Sequence, residues 1–361
     1  MKRVANNTTH IDLEQRIQSL ANHTARSRHI NSLVLGVETD DGAISVRAAA
    51  GAASQQDPYF IASITKMFTA TIVMQLIDEK RLRLDDRVVE LLAHLDLTGL
   101  HRFNGIDHTT NIEVDHLLHQ TSGLADYFAG GLEEDFKHNR DRRYAVEDIV
   151  DIARTSEANF PPGDRDGRRS AYSDTNYQLL TAIIEAATGA TYGETVNERI
   201  AVPLGLESTY VTRHEPMPEG RPPLPLYHKG QVLDLPQALA SERGAGGVVS
   251  TLDDQLRFSA AFHQGRLFDP HHSAETRRWN RIFFPVDYGY GLMRYRLPRA
   301  MTGFRRTPEL VGHSGATNSF TFYAPELSCH IVGTLNQLDN PSRAFRLITK
   351  LAHTVRKTQS S

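Results

Sequence analysis

The stretch that decides the fold is IASITKMFTA, residues 61 to 70, in which Ser63 stands three residues before Lys66 at the start of an apolar run. Residues three apart are neighbours on a helix surface, so a helix that begins near Ser63 carries the lysine on the same side as the serine. A single stripe follows, consisting of Met67, Thr71, Met74 and Ile77. This stripe predicts a buried helix with Ser63 or a neighbour as its capping residue.

The pairing of a serine with a lysine has two interpretations. A serine hydroxyl is a poor nucleophile and needs a base within hydrogen-bond reach, and a lysine in an apolar neighbourhood can be that base because burial favours the neutral amine. Alternatively, Ser63 only caps the helix and Lys66 extends from its first turn to solvent. The spacing alone does not choose between them.

Two further stretches carry polar groups of the kind that assist a serine nucleophile. AYSDTNY, residues 171 to 177, contains Tyr172, and GHSGAT, residues 312 to 317, contains His313. A tyrosine phenolate held near cations can serve as the base just as a lysine can. The two stretches therefore favour the catalytic interpretation of Ser63, and they leave the identity of the base open.

Together these motifs resemble those of the penicillin-recognising serine hydrolases, in the branch of class C beta-lactamases, D-alanyl-D-alanine carboxypeptidases and family VIII esterases. The resemblance runs from about residue 30 to 350. It includes further landmarks in the order typical of the family: HLLHQTSGL (116 to 124), FPPGDR (160 to 165), VPLGLEST (202 to 209), GAGGVVSTLDD (244 to 254) and YGYGL (288 to 292). It implies an α/β (α+β) fold, in which an antiparallel sheet is flanked by helices and an all-helical region is inserted.

The resemblance also implies catalytic roles. Ser63 would be the acylated nucleophile, Lys66 its proton acceptor or electrostatic helper, and Tyr172 would pass the proton to the leaving group. His313 stands where many members have lysine and some have histidine, and it would lie beside Tyr172 and tune its ionisation.

Binding roles follow from the same resemblance. The backbone N–H groups of Ser63 and Ala316 would form the oxyanion hole, and Asp174, Ser314 and Gly315 would contact the substrate. No metal ion and no organic cofactor is implied.

The chain departs from the pattern of the beta-lactamases at two positions. Asp174 stands where those enzymes have asparagine, and an ionised carboxylate only accepts hydrogen bonds. His313 replaces a fixed positive charge, so the anchoring of a substrate carboxylate weakens. Both departures favour esters over beta-lactams. Three arginines just before the tyrosine motif are interpreted as solvated rather than as the rim of a pocket: Arg165, Arg168 and Arg169.

The pattern along the chain predicts its organisation. An amphipathic helix is followed by a hairpin that turns at Asp41 and Gly42, and helical segments fill residues 93 to 236. Strands return between residues 288 and 337, before a closing helix from about residue 342 to 356. We therefore predict a sheet domain of residues 1–92 plus 237–361, a helical insertion of 93–236, and a site in the cleft between them.

Composition narrows the possible partners and compartments. Forty basic residues balance 43 acidic ones to a net charge of -3, which gives no indication of nucleic-acid binding. No apolar run approaches the ~20 residues of a membrane span, and no secretory signal is visible, so a cytoplasmic location is expected. The single cysteine, Cys329, is predicted to be a buried small hydrophobe. The expected partner is a small ester or amide substrate.

Several other features receive structural interpretations. His116 and His119 are predicted to lie on a helix surface rather than to bind a metal. Four aromatic residues are interpreted as packing under a loop, with an acyl pocket as the alternative: Trp279, Phe283, Phe284 and Tyr288.

The first functional hypothesis is a carboxylesterase for small or medium acyl groups, acting through an acyl-enzyme and with weak or no beta-lactamase activity. Three alternatives stay open. The first is a D-amino-acid peptidase or amidase, or a beta-lactamase, and the second is an acyltransferase. The third is a non-catalytic binding or assembly protein that retains the fold.

Overall fold

The computed structural model describes residues 2–163, 169–214, 221–298, 307–340 and 342–360, with side chains from residue 11 onward. The α-helices in this part of the chain are α1 Lys2–Ala25, α2 Thr65–Asp78, α3 Val88–Leu91, α4 Val114–Leu118, α5 Glu133–Lys137, α6 Val146–Arg154, α7 Asp174–Thr188, α8 Tyr192–Val196, α9 Val202–Leu204, α10 Pro236–Ser241, α11 Arg243–Gly246, α12 Leu252–His263, α13 Ser273–Thr276 and α14 Ser342–Gln359. None of these helices is long and apolar enough to cross a membrane.

The strands in the same residues are β1 Ser32–Thr39, β2 Ser45–Gly51, β3 Tyr59–Phe60, β4 Arg102–Phe103, β5 Ile106–Asp107, β6 Tyr210–Val211, β7 Tyr227–His228, β8 Gln231–Val232, β9 Val248–Ser250, β10 Asn280–Phe283, β11 Val286–Tyr288, β12 Met293–Tyr295, β13 Leu310–Ser314, β14 Ser319–Ala324 and β15 Cys329–Thr334. Eight of them form one antiparallel sheet in the order β10-β11-β12-β13-β14-β15-β1-β2. The predicted antiparallel sheet flanked by helices is confirmed.

The two faces of the sheet receive different helices because neighbouring strand residues point to opposite sides. Gly36 of β1 and its partner Val332 of β15 face α12, and a Cβ atom at Gly36 would lie 3.2 Å from Leu252. On the other face, the ring of Phe345 from α14 packs on Tyr295, with 4.7 Å between the ring centroids. The sheet is therefore covered on both sides.

Helix α2 lies in the middle of the molecule and is buried over most of its length, as predicted. It begins after a 3₁₀ turn, Ala62–Ile64, and no side chain caps it. The N-cap residue is Ile64, the neighbour of Ser63, as predicted, whereas the Ser63 hydroxyl lies inside the turn and faces Lys66 instead of capping the helix.

The region between residues 93 and 236 is mainly helical and also contains short strands that the sequence did not reveal. Strands β4 and β5 form one small hairpin and β7 and β8 another, while β6 pairs with β9. Two-residue strands leave no periodic signal to detect. The domain boundaries at residues 92 and 237 stay a prediction.

His116 of α4 and His119, which follows this helix, are buried, so their predicted place on a helix surface is wrong. Nδ1 of His116 accepts a hydrogen bond from the Glu113 amide at 3.1 Å, and the ring of His119 packs edge-on against Tyr290. Residues 114 to 118 pack against α7, which removes the surface that the sequence pattern implied. Among the described residues no group of side chains could hold a metal ion. Cys329 is buried, as predicted.

Candidate active site

Ser63 and Lys66 meet at the start of α2. The ammonium Nζ of Lys66 lies 3.0 Å from Ser63 Oγ and donates a second hydrogen bond to the Ala245 carbonyl at 2.6 Å. The Lys66 side chain has no exposed surface. Ala62, just before the serine, has a φ of 49°, a left-handed conformation that is costly for a residue with a side chain. The turn therefore holds the serine at a strained corner.

The turn between β13 and β14 holds this corner in place. Thr317 Oγ1 donates to the Phe60 carbonyl at 3.0 Å, and Ser319 Oγ donates to the Ile61 carbonyl at 2.7 Å. Only glycine fits at residue 315, because a Cβ atom there would lie 2.2 Å from Ser319 Oγ and 2.5 Å from the Ile61 oxygen. The GHSGAT motif thus packs directly on the strand that leads to the serine.

Tyr172 lies in the loop before α7, and its hydroxyl is a neighbour of Ser63. Burial raises its pKa well above the usual value, and the nearby Asp174 carboxylate raises it further. Gln120 fixes this segment, since its Oε1 accepts from the Ser173 amide at 3.0 Å and from Asn176 Nδ2 at 2.5 Å. Tyr172 is therefore a neutral phenol that can donate a proton.

His313 on β13 is fully buried and neutral. Burial lowers its pKa to about 3, and the charge of Lys66 acts in the same direction. Its Nδ1 lies 2.7 Å from the Ser314 carbonyl, which can only accept, so Nδ1 carries the proton and Nε2 accepts from the Tyr288 hydroxyl at 3.3 Å. The rings of His313 and Tyr172 are neighbours, with centroids 6.4 Å apart.

A group of carboxylates surrounds Lys66. Asp174 Oδ1 forms an ion pair with Nζ at 2.5 Å. Asp126 accepts from the Asp174 amide at 2.9 Å, and Glu242 accepts from the Tyr127 hydroxyl at 2.8 Å. Burial, and then the charge of Asp174, raise the pKa values of both Asp126 and Glu242.

The buried surroundings of Lys66 are therefore acidic, and differ from the apolar neighbourhood that would favour the neutral amine. Sequence analysis identified Asp174 but missed Asp126 and Glu242. The three acidic residues come from separate segments of the chain. Asp174 lies inside the motif AYSDTNY, whereas Asp126 and Glu242 lie outside the motifs that the sequence reveals.

The residues expected to bind the reacting carbonyl lie at the same place. The Gly315 amide donates to the Ser319 carbonyl at 2.8 Å and is therefore already used within the turn. The next amide along the turn is that of Ala316, the residue expected to bind the carbonyl oxygen of the substrate. Ser63, Ala316 and Ser314 all line one cleft, together with Asp174. The Ser314 hydroxyl points to Met293 Sδ, 3.6 Å away.

This cleft has a volume of about 1020 Å³ and a mainly apolar wall. That wall is built by Phe128, Phe283, Pro285, Val286, Met293, Tyr295, Leu297 and Phe345. Its outer end carries Arg346 and Lys350 of α14.

Of the four aromatic residues singled out from the sequence, Phe283 lines the cleft. Trp279 packs under the guanidinium of Arg294 and Tyr288 contacts His313, while Phe284 is 60% exposed. Of the three arginines that were predicted to be solvated, Arg169 is exposed, and Arg165 and Arg168 lie outside the described residues.

Comparisons with known proteins agree with this fold. The family model described as Beta-lactamase matches residues 14–355. Penicillin-binding protein 4* of Bacillus subtilis (strain 168) is 27% identical over 278 residues, which make up 71% of this chain and 54% of that protein. The chain spans about half the length of the curated relatives it matches.

Solved structures cover the whole fold. A D-stereospecific amidohydrolase from Streptomyces sp. is 28% identical, with a TM-score of 0.75 over 92% of this chain and 97% of that one. The D-amino acid amidase from Ochrobactrum anthropi SV3, complexed with L-phenylalanine, is 23% identical, with a TM-score of 0.79 over 96% of this chain and 99% of that one.

Proposed function

Because the chain belongs to the beta-lactamase family and is a serine hydrolase, we propose that it hydrolyses carboxylic esters of small or medium acyl groups. The observation that carries the proposal is the contact of Ser63 Oγ with Lys66 Nζ at 3.0 Å, at the base of a wide and mainly apolar cleft. An apolar wall suits an acyl chain, since burying each CH₂ group contributes about 0.8 kcal/mol.

Acylation begins with attack of Ser63 Oγ on the ester carbonyl. Lys66 passes a proton to Asp174, which lies 2.5 Å away, and accepts the serine proton in its place. The backbone N–H groups of Ser63 and Ala316 hold the oxyanion, and donors of this kind each contribute ~2.7 to 4 kcal/mol.

Tyr172 then donates its proton to the departing alkoxide and is reprotonated from Lys66. The alcohol product thus carries the proton of Tyr172, the serine proton replaces it on Tyr172, and Asp174 returns its proton to Lys66. Water attacks the acyl-enzyme by the same route in reverse, which returns the proton to Ser63 and releases the carboxylic acid.

Beta-lactams fit the site less well than esters do. A beta-lactam brings a carboxylate close to the serine, and His313 is neutral there, so it supplies no charge to hold that group. Asp126 and Asp174 also line the cleft, and their carboxyl groups add no positive charge that could hold an anion. We therefore expect any beta-lactam to acylate Ser63 slowly.

A second candidate substrate is an amide or ester of an amino acid, with the D-stereochemistry for which the Streptomyces amidohydrolase is specific. One observation favours it. The Asp126 carboxyl group lines the cleft beside Ser63 and could accept hydrogen bonds from a substrate ammonium group. This substrate would place its amine at Asp126 and its side chain on the apolar wall.

The test compares the wild-type protein with Ser63→Ala on p-nitrophenyl esters of increasing chain length, on D- and L-phenylalanine amides and on a chromogenic cephalosporin. Mass spectrometry detects an acyl adduct. Ser45→Ala is the matched control, because Ser45 is exposed on β2 and bonds only to Glu38 and Arg47. Rapid ester turnover that Ser63→Ala loses and Ser45→Ala keeps would support the esterase proposal.

Other outcomes select other functions. Faster turnover of the D-amide than of any ester would replace the esterase with the amidase. Ester products in the presence of an added alcohol, at the expense of the free acid, would indicate acyl transfer. An inert wild-type protein without an adduct would leave the non-catalytic alternative.

A further inference from the structure

A second cavity, with a volume of about 740 Å³, lies behind the turn that holds Lys66, and we call it the rear pocket. Its walls include Arg143, Tyr144, Tyr192, Val211, Arg213 and Arg243. The rear pocket shares none of its lining residues with the cleft that contains Ser63. It is therefore a separate place for a ligand.

The rear pocket carries an excess of guanidinium groups. Arg143 and Arg213 are exposed, and in the part of the chain that the structure describes neither has an ion-pair or hydrogen-bond partner for its side chain. Arg243 pairs with Glu185. The other acid in the wall, Glu194, is engaged by Thr191 at the start of α8. Planar guanidinium groups bind carboxylates through pairs of parallel hydrogen bonds.

Apolar groups share the wall with these charges. They come from Tyr144, Val146, Tyr192, Val211 and Ala240. Ligand pockets typically combine such surfaces with a few polar groups that fix the orientation of the ligand. The chemistry that fits is a small carboxylate with an apolar body of several carbon atoms.

A short series of hydrogen bonds connects the rear pocket to Lys66. The Tyr192 hydroxyl donates to Thr69 Oγ1 at 2.7 Å, and Thr69 Oγ1 donates to the Gly244 carbonyl at 2.7 Å. The next carbonyl, that of Ala245, accepts from Lys66 Nζ. The turn of residues 243 to 245 thus joins Arg243, which lines the rear pocket, to Ala245, which contacts Lys66.

This turn is tightly packed and strained. A Cβ atom at Gly244 would lie 2.1 Å from Thr181 Oγ1, and Arg243 has a φ of 41° in the left-handed region. Arg243 faces the rear pocket, while its neighbour Glu242 belongs to the acidic group around Lys66. A change in the contacts of Arg243 therefore acts on the backbone that positions Lys66.

We propose that the rear pocket binds a small apolar carboxylate and that its binding lowers the turnover number of the enzyme; this second part rests on the proposed hydrolase function. The carboxylate pairs with Arg143 and Arg213 and competes with Glu185 for Arg243. Arg243 then moves toward the ligand, and the Ala245 carbonyl shifts away from Lys66. No substrate atom is contacted, so substrate binding is unchanged.

The binding arm of the test uses isothermal titration of the full chain with 4-phenylbutyrate. The titration is run on the wild-type protein and on Ser63→Ala, because binding to the rear pocket can be measured without any ester turnover. We expect saturable binding at one site in both, weakened at least tenfold in the double variant Arg143→Gln/Arg213→Gln. Arg266→Gln is the matched control, because Arg266 is an exposed arginine outside the rear pocket.

The kinetic arm measures ester hydrolysis at increasing 4-phenylbutyrate. We expect kcat to fall at least threefold at saturation with KM unchanged within twofold, and the double variant to keep its basal kcat but lose this response. Titration with the acid released from the best ester separates the two sources of a carboxylate. Tighter binding of that acid than of the probe assigns product feedback, whereas weaker binding assigns an acid made elsewhere.

Three results would overturn the proposal: no saturable binding, binding that the double variant leaves intact, or inhibition that only raises KM. The last result would place the carboxylate in the cleft. If the chain hydrolysed no ester at all, the proposed function would fail while the titration still decided whether the pocket binds.

Discussion

Lys66 is the most constrained side chain of the site, since its Nζ contacts Ser63 Oγ, the Ala245 carbonyl and the Asp174 carboxylate without any exposed surface. A buried charge is tolerated only when it is paired and hydrogen-bonded. Asp174, whose pairing with Lys66 allows the lysine to be buried, is also the group that can accept a proton from it. In the proposed mechanism, burial and catalysis therefore depend on the same contacts.

Replacing the lysine tests this dual role. In Lys66→Met the serine loses its base, and we expect kcat for esters to fall about 10² to 10⁴-fold. Asp174 is then left buried without a cation, which costs up to about 3 to 5 kcal/mol of unfolding free energy. The double variant Lys66→Met/Asp174→Asn should recover much of that stability in urea denaturation while staying inactive.

Lys80→Met, at an exposed lysine just after α2, is the control for loss of one positive charge. Full ester turnover in Lys66→Met would contradict the assigned role of the lysine. Equal stability of the single and double variants would contradict the importance of the ion pair.

His313 gives a prediction with a definite sign. The unfolded histidine takes up a proton near pH 6.5, whereas the folded one does so only at about 3. Between these values the unfolded state binds more protons, so stability is fully present above pH 6.5 and is lost as pH falls. The loss is at most about 1.4 kcal/mol per pH unit for this one group.

We therefore expect His313→Gln to show a smaller drop in unfolding free energy between pH 7 and pH 4.5 than the wild-type protein, as measured by urea denaturation. His271→Gln, at an exposed histidine, should behave like wild type. An identical drop in all three proteins would mean that His313 is not buried in its neutral form.

The turn between β13 and β14 acts as an element in its own right, because it packs against the carbonyls of the segment that leads into the 3₁₀ turn of Ser63. Gly315→Ala would place a methyl group 2.5 Å from the Ile61 oxygen, so the turn must move away from the serine. We expect kcat to fall about 10²-fold or more, comparable to loss of one oxyanion-hole donor.

Gly42→Ala separates strain from this positional effect. Gly42 also has a positive φ, of 69°, but nothing lies within 4 Å of a Cβ atom there. This variant should lose stability in thermal denaturation and keep its kcat. Wild-type activity in Gly315→Ala would show that the turn does not set the geometry of the site.

At the scale of the whole molecule, the cleft is assembled from elements far apart in the sequence. Phe345 of α14 packs on Tyr295 and Phe322 of the sheet and also lines the cleft. The closing helix therefore contributes both to the core and to the space for an acyl chain. Chain-length preference and stability should respond together when this residue is changed.

Phe345→Ala enlarges the outer part of the cleft, and we expect the best p-nitrophenyl ester to become longer by several carbon atoms. Because Phe345 is only half-buried, the cost in unfolding free energy should be about 2 kcal/mol, below the ~3 to 5 kcal/mol of a fully buried phenylalanine. Phe284→Ala is the control, since Phe284 is exposed and lies outside the cleft. An unchanged chain-length profile in Phe345→Ala would argue that acyl groups bind elsewhere.

Much of the architecture was predictable, because long periodic segments such as α2, α7 and β13 to β15 carry their pattern in the sequence. The short elements were not, since two-residue strands such as β4 and β6 have no period and form only where partners meet them. The sequence also left the role of Ser63 at the start of α2 open, because a serine near a helix start is equally suited to a cap and to a reactive site.

The sequence by itself determined which residue types stand at the reactive positions: Ser63, Lys66, Tyr172 and His313 are recognisable from short motifs. Only the tertiary structure decided their electrostatic states. Asp126 and Glu242 come close to Lys66 from separate segments and make its surroundings acidic, and burial leaves His313 neutral. The physical reason is that charge interactions and burial depend on distances in space, which local sequence patterns do not contain.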